Sequence, residues 1–176
     1  MGGRDLLPGE YAVLGLLALR PMHGYEMARY FDQGELGTVC PLEQSLLYTY
    51  LRNVEERALV DWEEVRVGLR PPRKRYQLAA PGRAALDLWL REPVPRLRQI
   101  RSDFLLKLYF LHDLDRAAAE RLVEDQVQVC ARYRARLAEA AQAAEGFARL
   151  VALSRLSAAE ATLTWLRESA LEWSRA

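Results

Sequence analysis

Gln44, Ser45, Tyr48, Thr49 and Arg52 fall on one face when their segment is wound as a helix. Their chemistry is hydrogen bonding to a patterned polyanion. A glutamine amide and an arginine guanidinium can each make paired hydrogen bonds to a base edge, whereas serine, threonine and tyrosine hydroxyls mostly reach phosphates. A second group is basic. Between Val65 and Leu86 there is no Asp or Glu, but there are Arg66, Arg70, Arg73, Lys74, Arg75 and Arg83. Such a stretch is what a phosphate-contacting element looks like, and Arg70, Arg73, Lys74 and Arg75 gather near one tip. A solvated basic turn would have the same composition.

The chain is poorly equipped for catalysis. It holds two histidines, His23 and His112, and lacks a nucleophile elbow, a phosphate loop, an HExxH pair and a CxxC pair. The reading is of a protein that is not an enzyme, with no cofactor and no metal. Cys40 and Cys130 stand far apart, which fits a reducing compartment. Cys130 falls on an apolar stripe, where cysteine is usually an inert small hydrophobe.

Net charge is +1 over 176 residues, which is neutral as regards nucleic acid. The longest strongly apolar run, Tyr11 to Leu19, is well short of the roughly 20 residues that span a bilayer. No secretory leader is evident at the N-terminus, so the expectation is a cytoplasmic protein with no membrane partner.

The elements that must position these residues can be read from punctuation and period. Tyr11–Leu19 is apolar on all sides and predicts a buried helix, ended by Arg20-Pro21. A second helix is expected from His23 or Gly24 to Gln33, before a break at Gly34 and Gly37. Pro41 suits the first turn of a third helix over Leu42–Arg57, with Leu46, Leu47, Tyr50, Leu51 and Val54 as its core stripe. Leu59–Val67 and Arg73–Leu78 read as two strands around the turn Gly68–Pro72. A fourth helix covers Arg83–Arg91, and Glu92-Pro-Val-Pro95 marks a domain boundary.

The remainder reads as helix. Leu97–His112 is amphipathic, and Asp113 or Asp115 can cap the next helix. Cys130, Tyr133, Leu137, Ala140, Ala144, Phe147 and Val151 alternate spacings of three and four, a heptad seam whose upstream extension is broken by Gln126. The seam supports self-association, packing on Leu163, Leu166 and Trp173, or both. Ser157–Glu160 reads as a capping box opening the last helix, whose stripe is Leu163, Leu166, Ala170 and Trp173.

Three helices, two strands and a fourth helix in that order predict a winged helix-turn-helix. The expected fold is mainly α (α+β): a winged helix-turn-helix with a two-stranded β-wing over residues 1–92, then an all-α domain over 96–176. The third helix would enter a major groove with its polar face. Winged helices also serve as protein-interaction modules without sequence-specific DNA binding, so fold alone leaves both readings open.

Several segments resemble the PadR family of bacterial regulators. They are Leu14-Gly-Leu-Leu with Pro21-Met-His-Gly-Tyr-Glu26, Ser45–Glu56 with Leu59-Val60, and Pro71–Leu78 with Gly82-Arg83. Asp103–Phe110 is similar to the start of that family's longer-form C-terminal helical domain. The resemblance implies a homodimer held mainly by the C-terminal helices and bound to double-stranded operator DNA. Two recognition helices would reach successive major grooves, about 34–36 Å apart, on a near-palindromic site. It further implies a repressor, released in many members by a small aromatic or hydrophobic effector. Trp89, Phe104, Tyr109, Phe110 and His112 are the candidate effector-binding residues, with core and interface packing as the alternative. Two positions depart from the family pattern. Ala58 stands where glycine is usual, in a place where a left-handed residue would strain alanine, and Ala79 stands where a threonine cap is usual.

Overall fold

The computed structural model describes residues 6–66 and 72–175. They pack as two units, one of residues up to Leu90 together with Leu105–Leu114, the other of Arg91–Phe104 with Asp115 onward. The division does not follow the chain in order, because most of the helix after the Glu92–Pro95 break packs with the first unit.

The first unit opens with α1 (Pro8–Leu19), in which Ala12, Val13, Leu14 and Leu16 are fully buried, as a helix apolar on all sides requires. The chain then forms β1 (Met22–His23), α2 (Gly24–Gln33), α3 (Leu36–Val39) and α4 (Gln44–Glu56). The hairpin β2 (Val60–Val65) and β3 (Arg73–Leu78) leads into α5 (Ala80–Arg91).

The sheet has three strands, in the order β1-β3-β2, where two were expected. Met22 pairs with Tyr76 and His23 with Arg75, while β2 pairs with the other edge of β3 from Val60↔Leu78 to Val65↔Arg73. The extra strand forms in the link between α1 and α2. Arg20 and His23 are extended, which carries fully buried Met22 along the open edge of β3 before α2 starts. Gly34 and Gly37 do not simply break the chain either, since α3 occupies one turn there.

Ala58 and Ala79 stand at the two positions where the resemblance leads glycine and threonine to be expected. Ala58 has φ 53, in the left-handed region. It ends α4 with the paired hydrogen bonds of a Schellman motif, Ala58 N–H to the Glu55 carbonyl and Leu59 N–H to the Val54 carbonyl, both 2.9 Å. Ala79 holds the entry to α5 through backbone alone, accepting from Arg83 N–H and donating to the Leu59 carbonyl. The next turn passes so close that a Cβ on Gly82 would lie 2.0 Å from the same Leu59 oxygen.

The second unit contains a 3₁₀ turn (Leu97–Arg101), α7 (Arg116–Ala143), α8 (Gly146–Trp165), a π-helical segment (Leu166–Ala170) and α9 (Leu171–Arg175). Between the 3₁₀ turn and α7 lies α6 (Asp103–Leu114). The single amphipathic helix expected over Leu97–His112 is therefore divided, at Ser102. Asp115, one of the two expected caps, accepts from Ala118 N–H at 3.0 Å and opens α7.

The heptad seam does not run through. The chain leaves helical geometry at Ala144–Glu145, Gly146 takes φ +54, and α8 doubles back along α7. Pairing of Arg134 with Glu160 and of Arg175 with Glu120 fixes the two arms as antiparallel. Cys130 and Leu137 remain buried, Ala140 is exposed, and Phe147 is 79% exposed. Around the break the seam offers only alanines, too little apolar bulk to hold a straight helix, and a glycine can take the left-handed turn. Ser157 does not open a helix; it lies inside α8, whose Ala159 and Leu163 are buried. Burial of that stripe outweighs the local capping pattern.

Gln126 is 1% exposed for a specific reason. Val94 sits between Pro93 and Pro95, and its N–H and C=O have no helical partners. The Gln126 amide accepts from Val94 N–H at 2.7 Å and donates to the Val94 carbonyl at 3.0 Å. Gln126→Leu keeps the volume and orphans both groups, so unfolding in guanidinium should lose about 2–4 kcal/mol. A loss under about 1 kcal/mol would mean that water replaces the amide there. Ala58→Gly should gain about 0.5–1 kcal/mol, as relief of left-handed strain exceeds the added freedom of the unfolded chain. Thermal unfolding checks this, and a lower melting temperature would contradict it.

Candidate nucleic-acid interface

The polar face of α4 is set by its apolar one. Leu47, Leu51 and Val54 are at most 1% exposed, and their spacing of four and three turns Gln44, Ser45, Tyr48, Thr49 and Arg52 outward. Leu46, expected in the core stripe, is 41% exposed, because one residue's rotation of about 100° carries it off the buried face. Tyr50 is half-buried. The helix also starts later than expected. Glu43, in extended backbone, is its N-cap, and Pro41 and Leu42 precede it, Leu42 buried against the unit. Gln44 is consequently the first helical residue.

Within this face the hydroxyls differ. Thr49 Oγ1 donates to the Ser45 carbonyl at 3.1 Å, so its proton is engaged inside the helix and would have to rotate away to meet a phosphate. The Tyr48 ring lies against the start of α2, with ring carbon Cε1 2.8 Å from where a Cβ on Gly24 would stand. Tyr48 and Arg52 line a cleft of about 580 Å³ with Glu55, Glu56, Lys74 and Tyr76.

The wing's cations each have their own partner. The Arg73 guanidinium stands 5.1 Å from the centroid of the Tyr25 ring. Tyr25 is stacked on His23, whose Nδ1 donates to the Lys74 carbonyl at 2.9 Å. Lys74 Nζ donates to Glu55 Oε1 at 2.6 Å and sits 4.0 Å from the centroid of the Trp62 ring. Arg75 faces Glu63 at 3.6 Å. Burial first, then the neighbouring Glu55 carboxylate, raises the Tyr76 hydroxyl above its usual pKa. Arg70 lies outside the described residues.

Sequence reasoning missed the acidic partners. Asp61, Glu63 and Glu64 lie on β2, and the register sets Glu63 opposite Arg75 and Glu64 opposite Lys74. The signal was present as Asp-Trp-Glu-Glu, just upstream of the acid-free basic stretch. Tyr25 and His23 were missed because only β1 brings them to the wing.

The candidate effector residues separate. Trp89, Tyr109, Phe110 and His112 belong to the first unit and Phe104 to the second. Trp89 is half-buried, stacked on Tyr11 with centroids 4.3 Å apart, and carries Lys107 Nζ 4.8 Å over its ring. Tyr109 meets Phe110 edge-on at 5.2 Å, and Phe110 is fully buried with its ring against Gly15 of α1. Phe104, also fully buried, meets Trp165 edge-on at 6.2 Å. His112 is half-buried. Burial pushes the Cys130 thiol up, away from thiolate chemistry. Among the described residues no cluster of His, Cys, Asp or Glu could hold a metal ion, and no helix is long and apolar enough to cross a membrane.

Packed helices α1, α2 and α4, a β-wing and a polar outer face on α4 define a winged helix-turn-helix protein. Residues 13–88 match the transcriptional regulator PadR-like family, and residues 100–172 match the family described as virulence activator alpha C-term. Through these residues the chain belongs to the PadR-like family.

The negative transcriptional regulator PadR of Bacillus subtilis (strain 168) is 31% identical over 119 residues, 68% of this chain and 65% of its own. The chain thus spans just under two thirds of that relative's length. Two solved structures are similar. Bacillus subtilis PadR in complex with operator DNA is 26% identical, covering 94% of this chain and 98% of the other, with a TM-score of 0.48. The same protein in complex with p-coumaric acid is 26% identical, covering 97% and 100%, with a TM-score of 0.45.

Proposed function

We propose that this protein is a DNA-binding transcriptional regulator, working in the cytoplasm as a homodimeric repressor on a near-palindromic operator. The observation that carries the reading is the outer face of α4, where Gln44, Ser45, Tyr48 and Arg52 are exposed beside the wing. Gln44 and Arg52 take the role of base contacts, and Arg73 and Arg75 that of phosphate contacts. Arg75 can exchange Glu63 for a phosphate cheaply, since an exposed ion pair is worth about 0–1 kcal/mol.

The dimer reading rests on α8. Phe147, Leu150 and Leu153 are 79%, 61% and 42% exposed, an apolar row that a second copy would cover. Release by a small aromatic effector rests on Trp89, with Tyr11 stacked on it and Lys107 over its ring. The acids of β2 favour one rival, a winged-helix module that binds another protein, and that rival predicts no salt-dependent binding to duplex DNA.

Selection of bound sequences from a random duplex pool at two salt concentrations tests the reading. Enrichment of a near-palindrome with half-sites about one helical turn apart supports it. Absence of enrichment and of any salt-sensitive binding overturns it. Arg73→Glu should weaken binding to all sequences and flatten the dependence of log affinity on log salt. Arg52→Ala or Gln44→Ala should relax sequence preference at a cost of about 1–3 kcal/mol on the selected site. Unchanged selectivity in both would remove α4 from base readout.

A further inference from the structure

We infer that Glu55 is a specificity-determining residue: its carboxylate withholds Lys74 from the phosphate backbone and so limits sequence-independent affinity. This rests on the DNA-binding reading and adds a brake to it. Lys74, in a wing basic enough to be read as phosphate-binding, instead donates to Glu55 Oε1 at 2.6 Å.

Three features hold it there. Glu55 projects from α4 one turn beyond Arg52 and two turns beyond Tyr48, so the acid stands on the flank of the polar face. The Lys74 ammonium lies 4.0 Å from the Trp62 ring centroid and 6.0 Å from that of Tyr76, where ring faces add cation–π attraction. Beyond burial, the Glu55 carboxylate lies near enough to the Tyr76 hydroxyl to raise its pKa, so the acid stands against the wing. Glu55, Lys74 and Tyr76 line the cleft together with Arg52, Tyr48 and Glu56.

A phosphate entering this cleft must take Lys74 from Glu55 and then lie beside an unpaired carboxylate. Both steps oppose contact, whatever the base sequence. Binding to arbitrary duplex is thereby held down, and the base contacts of Gln44 and Arg52 account for a larger share of the affinity. Specificity is a difference of affinities, and a carboxylate in the path of the generic ligand raises it without any new contact to the specific one.

The test uses the full chain, a fluorescently labelled random-sequence duplex as probe, and binding isotherms across salt concentrations for four proteins: wild type, Glu55→Gln, Lys74→Gln and the double variant. Glutamine keeps the size and an acceptor oxygen while removing the charge. Glu55→Gln should bind more tightly, with a log–log salt slope steeper by about 0.9 per chain bound. Lys74→Gln should remove that gain in the Glu55→Gln background and cost clearly less slope in the wild type. Equal, additive effects in the two backgrounds overturn the inference, because both residues would then act only as point charges. Weaker binding by folded Glu55→Gln also overturns it, making the pair a bolt between helix and wing. Should Glu55→Gln fail to fold by circular dichroism, Lys74→Gln alone decides: loss of the whole slope of about 0.9 per chain in the wild-type background shows Lys74 already on phosphate. A wild type with no salt-dependent binding removes the DNA-binding reading itself, which the other outcomes leave standing.

Discussion

Burying Leu47, Leu51 and Val54 while leaving Gln44, Tyr48 and Arg52 bare obliges α4 to lie along the surface of the first unit in one rotation only. A slip of one residue would turn the helix by about 100° and put Tyr48 or Arg52 into the core. Two devices lock that rotation. One is the Schellman end at Ala58, which fixes where α4 stops. The other is Glu10, a carboxylate only 4% exposed in the first turn of α1. One of its oxygens accepts from Leu7 N–H at 2.8 Å and stands 4.0 Å from Arg57, while the other accepts from Asn53 at 2.9 Å. A buried carboxylate is tolerated only with such partners, so the start of α1 and the end of α4 are pinned by the same group. The wing depends on this too, because Glu55 lies between Asn53 and the helix end and reaches across to Lys74.

Magnitudes separate the wing's cations. Arg75 and Glu63 have side chains 46% and 66% exposed, and such a pair contributes about 0–1 kcal/mol, little obstacle to a competing phosphate. Arg73 faces a neutral ring, whose attraction at an exposed site is worth about 0.5–1 kcal/mol. Lys74 has a shorter contact to a less exposed acid, at 27%, and an aromatic ring beneath it. Adjacent residues of one strand therefore differ in availability because alternation sends Lys74 to the α4 side and its neighbours away from it. A basic run in a sequence does not say which charges are free to act; strand register does.

Much of the first unit was legible. The all-round apolar α1, the hairpin and the outward residues of α4 follow from period and punctuation, which are short-range properties. The features that stayed hidden are long-range or too brief to carry a period. A two-residue strand such as Met22–His23 exists only because β3 lies beside it. Leu46 and Leu47 are equally apolar in sequence, and only the packing of α4 against its neighbours α1, α2 and β2 selects one of them for the core. The strain at Ala58 could be read only through the family resemblance, which implies glycine at that point, and alanine does not favour the left-handed backbone found there.

The second unit shows why a heptad pattern is weak evidence for a straight helix. Cys130, Tyr133 and Leu137 keep their spacing into Ala140 and Ala144, yet alanines contribute little buried area, and the turn at Gly146 lets α8 return along α7. Burial within one chain then consumes Cys130, Leu137, Ala141, Ala159 and Leu163. The large apolar residues left exposed in this unit, among the described residues, are Phe147, Leu150 and Leu153 on α8 and Trp173 on α9. The proposed self-association would therefore draw on a row that the seam never contained in full, since Phe147 alone belonged to both. A row three residues apart drifts by about 60° at each step around the helix, so it wraps obliquely. A symmetric partner meets such a row by crossing it at an angle, with the same residues contributed by both copies.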